Sequence, residues 1–96
     1  MTQRNIDVEA ARKLVDEISA NLDSLPAGGG ARQAELRAEV DALRALLERE
    51  DAEHPEIEDR MKTVHGTFDR YKEELQAEGM RVGMFLSALG RMLGLD

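Results

Sequence analysis

Two histidines, His54 and His65, are the side chains in this sequence best suited to chemistry. His54 stands among Glu50, Asp51, Glu53 and Glu58, and His65 lies four residues before Asp69, one helical turn away. Imidazole beside carboxylates is the donor set of a metal centre or of an acid–base pair. The spacing supports neither. The Glu-x-x-His pairs of di-iron bundles are absent, and so is His-Glu-x-x-His. Both histidines therefore read as surface residues, one near a helix start and one on a polar face. Ser19, Ser24 and Ser87 have no histidine and acid in recognisable context, and the chain has no cysteine, so no nucleophile is predicted. Twenty of the 96 residues are acidic, so carboxylate pairs arise from composition alone. Gly28-Gly29-Gly30 before Ala31-Arg32 has the outline of a phosphate cradle at a helix N-terminus. It follows a helical pattern instead of a strand and lacks Gly-Lys-Ser/Thr, so it reads as a turn. The residues predict no enzyme, no metal and no cofactor.

The elements that carry these residues are helices. Ile57, Met61, Val64, Phe68, Tyr71 and Leu75 are spaced four and three apart, which puts six large side chains on one stripe of a helix over about 55–78. Pro55 suits the first position of that helix, and acids follow in its first turn. Gly79 suits the left-handed residue after its end, with Met80 folding back onto Leu75. Gly66, inside the helix, marks either close packing or a soft spot. A first helix over about 7–23 starts at a capping Asp7, with Ile6 stapled onto Ala11; Asn5 belongs to the same start. Its stripe is Val8, Ala11, Val15, Ile18, Leu22 and Leu25, widened by Leu14. Pro26 and the glycines form a loop over 24–30, and a second helix over about 31–50 carries Leu36, Val40, Leu43, Leu46 and Leu47. On its polar face Arg44 and Glu48 are one turn apart and are expected to pair.

The last segment, about 80–95, differs in kind. Its charges are Arg81 and Arg91 alone, so it carries +2 in a chain of net −7. Apolar residues occupy nearly every side of it, which requires cover on more than one face. Met80, Val82, Gly83, Met84, Phe85, Leu86, Leu89, Met92 and Leu93 are the expected protein interface, packing partly in the fold and partly across a homodimer seam. Gly79 with Gly83, and Gly90 with Gly94, would let helices approach closely. A second reading lays this basic, methionine-rich helix on a membrane surface, which the acidic remainder of the chain opposes.

Composition bounds the rest. Ninety-six residues make one domain, 1–96, and bury only about 60–65% of the unfolded surface, so a partner would help stability. The acidic balance argues against nucleic acid, as does the shortage of stacking side chains, with Phe68, Tyr71 and Phe85 the only aromatics. Neither a signal-peptide pattern after Thr2 nor a spanning apolar run is visible, which predicts a cytoplasmic protein.

From about Glu48 to Leu95 the chain resembles a family of short bacterial helical proteins of unknown function. The resemblance rests on Glu53-His54-Pro55, the amphipathic helix around Phe68, and the closing Ala88-Leu89 and Leu93-Gly94-Leu95. It departs at Gly79-Met80-Arg81 and in the glycine-rich first loop, and it implies no catalytic residue. The expected fold is all-α: an antiparallel three- to four-helix bundle, associating as a homodimer. The expected function is a non-enzymatic scaffold, adaptor or small regulator, acting through apolar helix faces on a second copy or another protein.

Overall fold

A computed structural model describes residues 6–26 and 30–95. Among these residues the chain forms five helices and no strand. Asn5 and the first two glycines of the 28–30 run, Gly28 and Gly29, lie outside the described residues.

Helix α1 spans Val8–Ser24 and begins as its sequence dictates: the Asp7 carboxylate accepts the Ala10 amide at 3.1 Å. Ile6 and Ala11 are both buried, as a hydrophobic staple requires. Helix α2, Ala31–Glu48, turns Leu36, Val40, Leu43, Leu46 and Leu47 inward. Its last turn has no basic residue of its own. Arg12 of α1 supplies that cation, donating from Nη2 and Nε to the Leu47 carbonyl at 2.8 and 3.3 Å. Arg44 reaches Asp16 across the α1–α2 seam at 3.1 Å, in place of the expected pairing with Glu48, and Arg37 reaches Asp23 at 2.9 Å. These ion pairs are exposed and are each worth about 1 kcal/mol or less.

Helix α3, His54–Arg70, carries Pro55 in its first turn and buries Ile57, Met61, Val64, Thr67 and Phe68. The expected single helix over 55–78 is interrupted at Tyr71, whose φ −115° and ψ 27° leave the helical region, and α4 resumes over Lys72–Ala77. The reason is local. The Tyr71 ring lies half-buried against two cations, with the Arg32 guanidinium 4.1 Å from its centroid and that of Arg70 at 5.5 Å. The amide bonds from Tyr71 to Thr67 and from Leu75 to Tyr71 survive, so the axis is perturbed over one residue only.

Gly79, at φ +113°, ends α4. The Met80 amide returns to the Leu75 carbonyl at 3.0 Å and the Gly79 amide to Gln76 at 3.1 Å, with Met80 and Leu75 both buried. This is the expected Schellman arrangement. Helix α5, Val82–Leu93, is shorter than the 80–95 read from composition. Met80 and Arg81 belong to the turn before it, and a second Schellman closure at Gly94, φ +72°, ends it through the Leu95 amide on Gly90 at 2.8 Å.

Helix α3 is central: it packs against α2 on one side and α5 on the other, while α1 covers α2 and part of α5. Phe68 and Phe85 meet at the middle with centroids 5.6 Å apart and planes tilted by 41°, a favourable aromatic geometry. One continuous cluster joins all five helices, and among the described residues no buried polar side-chain atom lacks a partner. The glycines do not bring helices together as expected. A Cβ built on Gly66 or Gly83 meets no heavy atom within 4 Å.

Candidate interaction surface

The residues singled out for chemistry are dispersed, and their surroundings are structural. His54 is the first residue of α3 and is half-buried, not a free surface histidine. Its Nδ1 accepts the Ile6 amide at 3.0 Å, tying the start of α1 to the start of α3. An accepting Nδ1 is unprotonated, so this nitrogen is committed to the fold. His65 is half-buried on α3, and no hydrogen bond joins it to Asp69. Among the described residues no group of three or more histidines and acids is gathered to hold a metal ion. Ser24 donates to the Asn21 carbonyl at 2.7 Å, Ser19 is buried and Ser87 exposed, and none of them hydrogen-bonds a histidine.

One polar constellation was not legible beforehand. The Thr67 hydroxyl, buried on α3, donates to Glu39 Oε1 of α2 at 2.6 Å. Packing between the two helices desolvates Glu39 and raises its pKa above the ordinary carboxylate value. The Thr67 bond opposes that shift, Glu35 adds to it, and Arg70 opposes it. Nearby, Arg32 pairs with Glu35 at 3.7 Å and Glu74 at 3.5 Å while stacking on Tyr71. The group locks α2 to the α3–α4 junction. Threonine one residue before Phe68 is the sole sequence signal, since it falls at the edge of the apolar stripe.

The expected interface residues divide into two sets. Met80, Val82, Phe85, Leu89 and Leu93 are buried in the chain's own core. Gly83 and Met84 are exposed, and Leu86 and Met92 are half-buried. Met84 (44% exposed) and Leu95 (54%) are the large apolar side chains left open to solvent among the described residues. They stand eleven residues apart, close to three helical turns, so they lie on one side of α5. Ala88 falls on the same line and Met92 at its edge, both half-buried. Leu95 was not among the expected interface residues, yet it is the most exposed of them.

This face borders a groove of about 290 Å³ between α1 and α5, lined by Glu17, Ala20, Asn21, Ser24, Arg81, Met84 and Phe85. Asn21 fixes the groove's geometry: its Oδ1 accepts the Arg81 amide at 2.9 Å and its Nδ2 donates to the Gly79 carbonyl at 3.3 Å. The two arginines of the segment and Glu17 make no ion pair among the described residues. No helix is long and apolar enough to cross a membrane among those residues. No protein-family model, curated protein or solved structure matches the chain.

Proposed function

We propose that this chain is a non-enzymatic helical interaction module, a scaffold, adaptor or small regulator. In this reading it is an antiparallel helix bundle that associates as a homodimer in a cytoplasmic setting, and the outer face of α5 is its working surface. The observation that carries the reading is the position of Met84 and Leu95, exposed on one side of a helix whose other side is core. Apolar side chains aligned on an outer face and rimmed by arginines are the pattern of a surface that another molecule covers. The polar constellations, by contrast, are consumed by contacts within the fold.

Sedimentation equilibrium at tens of micromolar protein tests the proposal. The native chain is expected to show a dimer mass, and Met84→Glu with Leu95→Glu a monomer with unchanged helical circular dichroism. A monomer mass for the native chain overturns it. The alternative is a peripheral membrane protein, and the exposed methionine beside Arg81 and Arg91 favours it over any catalytic reading. Flotation with anionic vesicles, with and without the two glutamate substitutions, separates the two readings.

A further inference from the structure

We propose that two copies of this chain pair through antiparallel α5 helices related by a two-fold axis at Ala88, with Arg91 of each copy reaching Glu17 of the other. The inference rests on the self-association proposed above and specifies its geometry.

The exposed side of α5 is symmetric about its middle. Met84 and Met92 stand four residues before and four after Ala88, about 6 Å along the axis in each direction. An antiparallel copy centred on Ala88 sets Met84 against the second copy's Met92, and the reverse, so both methionine contacts form twice. Ala88 then faces itself, and its small side chain allows the two backbones to come close, flanked by Ser87. Methionine is suited to such a seam because its unbranched side chain adapts to a neighbour of the same kind. A contact that is its own complement closes at two copies instead of propagating.

Charge selects this orientation over the parallel one. From Gly79 to Leu95 the chain has two arginines and no acid. Parallel helices would place Arg81 beside Arg81 and Arg91 beside Arg91, with no carboxylate on either helix to offset the repulsion. Antiparallel helices bring Arg91, near the C-terminal end, to the N-terminal end of the other copy. There Glu17 lines the groove beside Met84. Glu17 and Arg91 are both exposed and without an ion pair among the described residues, so each is available to the other. The antiparallel arrangement also opposes the two helix dipoles. A lipid surface would use the same arginines but would repel the acidic remainder, which carries the opposite charge.

The absence of cysteine makes the test clean. Ala88→Cys should oxidise to a disulfide-linked dimer, since only a position on the axis brings its own copy within disulfide reach. Thr63→Cys, exposed on α3, is the control and should remain largely monomeric on a non-reducing gel. Arg91→Glu and Glu17→Arg should each weaken the dimer by roughly ten-fold, since each breaks two symmetric rim pairs. The combined Glu17→Arg/Arg91→Glu chain should return to within about two-fold of the native affinity. Helical circular dichroism confirms folding of every variant. A native dimer that neither cross-links through residue 88 above the control nor responds to the charge swap overturns this geometry and leaves self-association standing. A native monomer at every concentration overturns both, as does binding confined to anionic vesicles.

Discussion

Replacing Gly79 with alanine removes the residue that lets the chain leave α4 and enter α5. At φ +113° an L-residue pays a backbone penalty of about 1–3 kcal/mol. The new Cβ would also stand 2.9 Å from Leu25 Cδ2, so the half-buried leucine tip must give way. Together these predict a loss of about 2–4 kcal/mol, against a total of about 5–14 kcal/mol for a domain of this length. Gly66 is the internal control. It sits inside α3 at negative φ, where a built Cβ meets nothing within 4 Å, so Gly66→Ala should stabilise by about 1 kcal/mol through helix propensity. Urea denaturation followed by helical circular dichroism reads both, and the midpoints should move in opposite directions at unchanged slope. In thermal melts Gly79→Ala should lower Tm by about 10–25 °C and Gly66→Ala raise it by about 4–8 °C. Equal effects of the two substitutions, or a loss below about 1 kcal/mol at position 79, would refute the reasoning.

Glu39 titrates above the ordinary 4.5 because burial between α2 and α3 desolvates it, so the folded state holds its proton more tightly than the unfolded chain does. Its contribution is therefore fully present below the unfolded-state pKa and is lost as pH rises through the folded-state value. Glu39→Gln keeps an oxygen for the Thr67 hydroxyl and should gain on the native chain between about pH 4 and 7, as compared by urea midpoints at both pH values. Ending the chain at Glu78 removes Met80, Val82, Phe85, Leu89 and Leu93 from the core and bares the face of α3 that they cover. At about 1.5–3 kcal/mol for each large buried side chain, that loss meets or exceeds the whole stability of the domain. The shortened chain should be unfolded by circular dichroism, and a folded monomer would show that α5 is not core.

What the sequence made legible was whatever depends on neighbours three or four residues away. The stripes of α1 and α2, the Asp7 cap and the Gly79 closure with Met80 over Leu75 all stand as their spacing implies. The misreadings depend on distant residues. Tyr71 shares the spacing of Phe68 and Leu75, but Arg32, thirty-nine residues earlier, stacks on its ring and the helix yields there. His54 looked free because its partner, the Ile6 amide, is forty-eight residues away. The Thr67–Glu39 bond and the Arg12 cap on Leu47 are equally non-local. The small-residue spacings misled for a different reason. Gly79 and Gly94 are helix terminators, where glycine supplies positive φ, and Gly83 faces open space. Spacing alone does not distinguish a packing glycine from a capping one.

The division of α5 between core and surface changes what association would be for. Composition suggested a chain too short to close its own core, for which a partner would supply stability. The five helices instead converge on one cluster with Phe68 and Phe85 at its centre, and α5 spends its inner face there. What remains outside is Met84, Ala88, Met92 and Leu95, one helix face in width. A surface of that size falls short of the interfaces that hold obligate dimers together, which bury roughly 2,000 Å² or more. In the proposed pairing the folded monomer is therefore a stable species, and dimerisation answers to concentration. It answers to salt as well, because the Arg91–Glu17 pairs lie at an exposed rim where ions screen them. Such a module releases the same apolar face each time it dissociates, which suits reversible exchange between a second copy and another partner better than permanent assembly.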